Sequence, residues 1–456
     1  MPSPLRTRII APAALCFAAL AGCSDFMNSP AAVVDPNTPA SSSRDQLFVG
    51  ASSNVFANEE GPVAMLICEW MQQCAGVNGG FVQRYGTYDI TSATFDAQFR
   101  GVYQGGGLVA LRAVQLDAAT AGDEVYQGIA EVLEAMNMLY AADVWGDVPY
   151  AQAASGTTAT FDPQMQVYEG LLALLNSAIA HMNGTGVGPG AADLVYGGDK
   201  SRWIEAAHTL KARIHLHRVE KLGAGEYASA LAEARQGIQR GHDWLTNHTA
   251  SPFERNLWAQ FQRTANGADL VAGASLVKLM NARDDDRRRE YFGLAKGGGY
   301  VGYDVVTQLP AADQVSPIGG SVRTNNVSFR QPVLTWNENQ LIIAEAALQT
   351  GDPATAAAAY NAVVFDLGRP EVAASALTLA EVMTEKYIVL FQNREVWNDF
   401  KRTCLPVLHP AKGKLVIPGR VYYGATEEAT NPNAPASAAQ DLFIVRNSND
   451  PLTCRP

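Results

Sequence analysis

Two pairs of carboxylates stand one helical turn apart in this sequence, Asp143 with Asp147 and Glu395 with Asp399. Two acids facing each other across a groove are what glycoside hydrolysis requires. Helical spacing alone puts neither pair in a groove, and no neighbour singles either out. His215 and His217 lie two apart on a helical stretch and so point to different faces, which makes them a poor pair of metal ligands. The sequence contains no HExxH, no Gly-x-Ser-x-Gly elbow and no Walker loop. The run Gly184-Thr185-Gly186-Val187-Gly188-Pro189-Gly190 follows a helix, contains proline and reads as a loop. No catalytic group, metal or cofactor is expected. What remains is the chemistry of binding. Neutral sugars need flat aromatic faces for their C–H bonds and amide, guanidinium or carboxylate groups for their hydroxyls. Two segments offer both. Gln73 to Tyr88 supplies Asn78, Phe81, Arg84, Tyr85 and Tyr88; Tyr291 to Tyr303 supplies Tyr300 and Tyr303 and is followed by Arg323, Asn325 and Asn326. The same aromatics could equally serve to pin their own loops.

Helices must position these segments, because 3.6-residue periodicity dominates and alternating strand patterns are sparse. Amphipathic helices are predicted over 45–75, 93–118, 123–143, 163–182, 200–221, 225–240, 338–349, 353–366 and 378–394. In the third, Val125, Ile129, Val132 or Leu133, Met136, and Leu139 or Tyr140 form one apolar stripe. It must stop at Asp143-Val144-Trp145-Gly146-Asp147-Val148-Pro149-Tyr150, where Gly146 can turn and Pro149 lacks an amide proton. Pro353 followed by Ala354, Ala356 to Ala359 and Tyr360 resembles a tetratricopeptide-like helix start, where small residues let two helices pack closely. The fold class is mainly α, a tetratricopeptide-like scaffold over 45–240 and 330–405 with little β structure. Irregular ligand-loop excursions cover 76–92 and 245–330, and the chain is irregular again beyond 405. Trp203 and Trp397 read as core anchors, each able to bury on the order of 150–250 Å². Arg394, Glu395, Asp399 and Arg402 read as a partly buried ion network along one helix.

Residues 1–22 carry Arg6 and Arg8, no acid, and an apolar run from Ile9 to Leu20, ending in Leu20-Ala21-Gly22-Cys23. That is a bacterial lipoprotein signal: small residues fit the peptidase cleft, and the Cys23 thiol is the nucleophile that takes the lipid. The run is too short to span a bilayer, so acyl chains on Cys23 would anchor the protein to a membrane. Residues 23–44, rich in Pro, Ser, Ala and Asn, read as a flexible tether, and 45–456 as a single domain. Four cysteines remain after processing. In an oxidising envelope Cys68, Cys74, Cys404 and Cys454 allow three pairings; Cys68–Cys74 with Cys404–Cys454 is the favoured one, and a zinc site is the lesser rival. The net charge of −11 becomes −13 once Arg6 and Arg8 leave. The one basic cluster, Arg287-Arg288-Arg289, is neutralised by Asp284-Asp285-Asp286, so nucleic acid is not an expected partner.

Seven segments, in order, resemble the SusD/RagB family of outer-membrane nutrient-binding lipoproteins. They are the Gly146-Asp147-Val148-Pro149 corner; Phe161-Asp162-Pro163 with Tyr168; and Asp193 to Trp203 running into Leu210-Lys211-Ala212-Arg213. Asp286-Arg287 with Tyr291-Phe292 and Tyr300, then Pro332 to Trp336 with Glu345, come next. Glu385-Lys386-Tyr387 with Glu395-Val396-Trp397, and Pro418, Arg420, Tyr422, Glu427 and Asn431, close the series. The departures are Arg202, His208 and the missing proline beside Arg287. The resemblance implies a non-catalytic protein without cofactor, anchored in the outer membrane at the cell surface. It would capture oligosaccharide or polysaccharide and pass it to a SusC-like TonB-dependent transporter that it covers as a lid. Capture of peptides or another nutrient by the same lid is the alternative, and a helical-repeat outer-membrane assembly lipoprotein is a further one. The family's ligand surface is built from loops whose positions vary between members, so no individual binding residue carries over.

Overall fold

Glycines inside an otherwise unbroken apolar period decide where the helices divide. A computed structural model describes residues 42–154, 158–435 and 454 of the chain. The stretch expected as one helix over 45–75 is two, α1 (Arg44–Glu60) and α2 (Pro62–Trp70). Gly61 N–H donates to Ala57 O at 2.8 Å, and a Cβ on Gly61 would lie 2.4 Å from that oxygen. Pro62 then opens α2, where a missing amide proton does no harm. After β1 (Cys74–Gly76) and the short α3 (Phe81–Gly86), the stretch 93–118 is likewise divided, into α4 (Asp96–Tyr103) and α5 (Leu108–Thr120).

The apolar stripe that begins at Val125 becomes α6 (Glu124–Trp145), buried along nearly its whole length and capped by Asp123, whose side chain accepts from Tyr126 N at 3.0 Å. It ends where Gly146 takes φ +87°. The corner beyond serves as a dock: Trp145 Nε1 donates to Tyr422 O at 2.8 Å, and Asp147 Oδ1 accepts from Gln164 N at the start of α7 (Gln164–Met182). α8 (Lys200–Leu222) and α9 (Gly225–Ala234) follow as a hairpin. α9 is shorter than the expected 225–240, because the chain at Gly237 passes so close to Thr209 and Asn339 that a Cβ would lie 2.4 Å from each side chain.

Next come β2 (Trp244–Leu245), α10 (Leu257–Phe261), β3 (Leu270–Ala272), α11 (Ala274–Ala282), α12 (Arg288–Tyr291), α13 (Val322–Asn325) and β4 (Pro332–Leu334). The scaffold resumes with α14 (Trp336–Gln349), α15 (Pro353–Asp366), α16 (Leu379–Val389), α17 (Glu395–Thr403) and α18 (Ala425–Thr430). The helix expected over 378–394 stops at Val389; Gln392 turns at φ +65° and a second helix, α17, begins at Glu395. Helix packs on helix from α5 through α6, α7, α8 and α9 to α14, which also holds α15 and α16. The outer part is built on small residues, with Ala344, Ala346, Ala347, Ala356, Ala357 and Ala359 buried around Tyr360. β1 pairs antiparallel with β3, and β2 with β4. The sulfurs of Cys68 and Cys74 are joined, as are those of Cys404 and Cys454, with Cα atoms 5.1 and 5.0 Å apart.

The ions along α17 are buried completely rather than partly, and they reach far beyond their own helix. Arg394 donates to Asp143 on α6 at 2.7 Å and to Glu59 on α1 at 2.9 Å. Asp143 also accepts from Tyr168 at 2.8 Å and Asn398 at 2.9 Å. Arg213 on α8 holds Glu338 at 2.7 Å and faces Glu395 at 3.5 Å. His217 lies between Glu395, at 2.7 Å, and Asp143, at 3.1 Å. A second cluster joins Lys386 and Arg402 to Glu345 and Asp399. Burial opposes a charged imidazole, but the charges of Glu395 and Asp143 outweigh it and bring His217 up to about 9. Burial likewise opposes ionised Glu395 and Asp143, yet His217 and the nearby arginines hold both carboxyls below their ordinary values.

Two outcomes are expected. Arg394→Met leaves Glu59 and Asp143 buried without their cation and should cost about 3–5 kcal/mol in urea unfolding; a loss under about 1 kcal/mol contradicts the network's role. His217 binds its proton more tightly folded than unfolded, where its pKa is about 6.5. Its contribution is therefore complete below about 6.5 and lost as pH rises through about 9. Unfolding free energy measured across that window should fall, and His217→Gln should flatten the fall.

Candidate functional site

The two excursions marked as ligand loops meet at a main-chain seam. Cys74, Ala75 and Gly76 pair with Ala272, Val271 and Leu270. Val77 N–H donates to Asp269 O at 2.9 Å, and Asn78 Nδ2 to Asp269 Oδ1 at 2.8 Å. The Cys68–Cys74 disulfide holds the start of β1 to α2. α3 then folds back so closely that a Cβ on Gly76 would lie 2.4 Å from the Val82 carbonyl. In one turn of helix Phe81 and Tyr85, four residues apart, share a face. From the other excursion α10 arrives capped by Asn256, whose side chain accepts from Ala259 N at 3.0 Å. Its base is fixed by the buried Glu60, which accepts from Asn256 Nδ2 and Leu257 N, each at 3.1 Å.

Between α2, α3 and α10 lies a cavity of about 310 Å³ lined by Pro62, Met65, Glu69, Phe81, Tyr85, Leu257, Phe261 and Leu270, among others. Phe81 meets Tyr85 edge-on at 5.4 Å and Phe261 at 6.3 Å. Trp70 Nε1 donates to Tyr85 O at 2.9 Å and steadies that wall. Burial raises the Glu69 carboxyl well above its ordinary value against the opposing amides of Gly76 and Gly86. The mostly aromatic and aliphatic lining suits a ligand with apolar faces.

The structure sorts the residues singled out from the sequence. Phe81 and Tyr85 line the cavity; Asn78 and Arg84 are exposed on the same loop. Tyr88 is corrected to a core residue. A left-handed backbone at φ +64° carries its ring in against Trp70, 5.8 Å away, where its hydroxyl accepts from Ala411 N at 3.1 Å. Arg323 is corrected too. Its guanidinium lies 4.5 Å from the Tyr291 ring centre and 5.6 Å from Phe391, bonded to Glu290 at 2.8 Å, and is buried. Tyr300 sits under Arg288 and Tyr303 extends the seam, donating its amide to Ala272 O; neither lines this cavity. Asn325 is exposed and donates to Gly320 O. Phe261 was missed. Its signal is the cap residue Asn256 followed by Leu257 and Phe261 at helical spacing.

The acid pairs Asp143 with Asp147 and Glu395 with Asp399 have structural partners instead of a groove. Asp147 caps α7, Asp399 belongs to the Lys386–Arg402 cluster, and Asp143 and Glu395 flank His217. These last three have donor atoms within 4.8 Å of one another, as a cation site would. The imidazolium already fills that role. Cys23 lies outside the described residues.

A family model described as "Starch-binding associating with outer membrane" matches residues 36–424. No curated protein matches the chain. Among solved structures, a SusD-like protein from Bacteroides thetaiotaomicron is similar at TM-score 0.72 and 20% identity, over 89% of this chain and 97% of that one. A chitin-binding protein is similar at TM-score 0.71 and 19% identity, over 87% and 96%. A chitin-binding SusD homologue from Flavobacterium johnsoniae is similar at TM-score 0.69 and 18% identity, over 88% and 97%. At such identities these likenesses speak for the fold. With the family model spanning most of its length, the chain belongs to the SusD-like family of outer-membrane-associated, non-catalytic carbohydrate-binding proteins.

Proposed function

We propose that this protein captures oligosaccharide at the outer-membrane surface and delivers it to a SusC-like TonB-dependent transporter without breaking a bond. The observation that carries the reading is the aromatic cavity of Phe81, Tyr85 and Phe261, held by two loops sewn together through their main chains. Flat faces bind the C–H surface of a sugar, and Asn78 and Arg84, exposed on the same excursion, are the polar groups offered to its hydroxyls. The mostly aromatic and aliphatic wall favours the C–H faces of glycans over the charged side chains of basic peptides. The family description and two chitin-binding structural relatives point the same way. In this reading residues 1–22 are the signal, Cys23 carries the lipid anchor, 23–44 is the tether and 45–456 is the ligand domain. Modest affinity serves delivery, since a ligand held too tightly would not leave for the transporter.

Isothermal titration of the chain in mild detergent against plant, algal and bacterial polysaccharides, with mixed peptides alongside, tests the reading. Heat from one glycan class and none from peptides is the expected result; heat from peptides alone moves the protein to peptide capture. Phe81→Ala and Tyr85→Ala should each weaken glycan binding roughly tenfold. Tyr88→Phe should instead cost about 1–3 kcal/mol of stability by stranding the Ala411 amide, with the glycan affinity unchanged. A Tyr88→Phe protein as weak in binding as Phe81→Ala would reverse the assignment of the two rings.

A further inference from the structure

The Phe253 ring is 95% exposed on a loop that is otherwise firmly built. Thr249 N–H donates to Glu254 O at 3.1 Å, Glu254 N–H to Ser251 O at 3.0 Å, and the Thr249 hydroxyl to the Glu254 carboxylate at 2.6 Å. His248 Nε2 fastens the loop to Glu60 at 2.6 Å, the same carboxylate that fixes the base of α10. The ring is therefore presented at a set place. It stands on the wall of a second cavity, of about 520 Å³, whose lining includes Phe56, Asn247, Arg255, Leu257 and Gln260. Asn247 is exposed on that wall. A ring beside amide and guanidinium groups is the pairing that a sugar needs, a face for its C–H bonds and a rim for its hydroxyls. Phe56, Leu194 and Leu257 supply further apolar surface in the same cavity, with Asn247 and Arg255 among its polar lining.

The two cavities adjoin. Leu257 lines both, and on α10 Gln260 belongs to the Phe253 side while Phe261 belongs to the Phe81 side. From Leu257 to Phe261 the helix advances only about 6 Å, which sets the two cavities close together along α10. Resting on the glycan reading above, we infer that Phe253, Asn247 and Arg255 form a second subsite, and that the ligand is a polymer segment laid across α10 rather than a single sugar or a chain end. The first cavity grips part of the chain and the second adds affinity only when the chain is long enough to reach it.

The test is titration of the chain in mild detergent with the disaccharide and the hexasaccharide of both chitin and starch. The unmodified protein should bind a hexasaccharide more tightly than the disaccharide of the same series. Phe253→Ala, a surface change that leaves the core intact, should lose roughly three- to tenfold on the hexasaccharide and nothing on the disaccharide, while Phe81→Ala weakens both. If Phe253→Ala binds the hexasaccharide as the unmodified protein does, or loses equally on both lengths, the second subsite is overturned and the first reading stands. Silence of the unmodified protein toward every oligosaccharide overturns both.

Discussion

Asp143 is an ionised carboxylate in the last turn of α6 with almost no access to water, and the scaffold depends on how it is neutralised. Removing a charge from water costs several kcal/mol even after the surroundings relax, and only well-placed counter-charges offset it. Arg394 and His217 meet that need from α17 and α8, and Arg394 also takes Glu59 from α1. Glu59 and Arg394 are separated by 335 positions. A stack of helix hairpins contacts mainly its neighbours and would otherwise leave its ends free to slide. Any register other than the observed one would strand an ion, so the cluster selects one packing more than it deepens the stability of that packing.

The two loop excursions hang from this frame through a few short links. Glu60, next to Glu59 at the end of α1, accepts from α10 and from His248, so the residue pair that closes the ion network on one side positions α10 and the His248 loop on the other. The Cys68–Cys74 disulfide and the pairing of β1 with β3 join α2 to both excursions. The loops contain little regular structure, yet their backbones are placed by bonds to buried elements. Cavities of this kind exist before a ligand arrives, and binding need not order them.

The helices were legible because the apolar period is a local property of the chain: the helices from Glu124, Gln164, Lys200 and Pro353 lie within a few residues of where the pattern puts them. The breaks at Gly61 and Gln392 were not, since the apolar pattern runs across both. The acids and bases of α17 were recognisable as a network, but their partners on α1, α6 and α8 were invisible, because nothing in a sequence records which distant helix will face a buried arginine. In the loops Phe81 and Tyr85 were found by residue type. Tyr88 and Arg323 have the same types and went inward, one through a left-handed turn and the other into a stack of rings. Composition separates loop from scaffold; it does not separate a loop's outer face from its inner one.

The seam between β1 and β3 has a consequence for descent. It is made almost wholly of peptide groups, which every residue but proline supplies alike. Side chains at Phe81, Tyr85 and Phe261 can therefore be exchanged one at a time while the two loops keep their relative placement. On the proposed reading, a lineage could change what it feeds on by drift at the cavity wall, with the ion-locked scaffold beneath carrying no memory of the earlier diet.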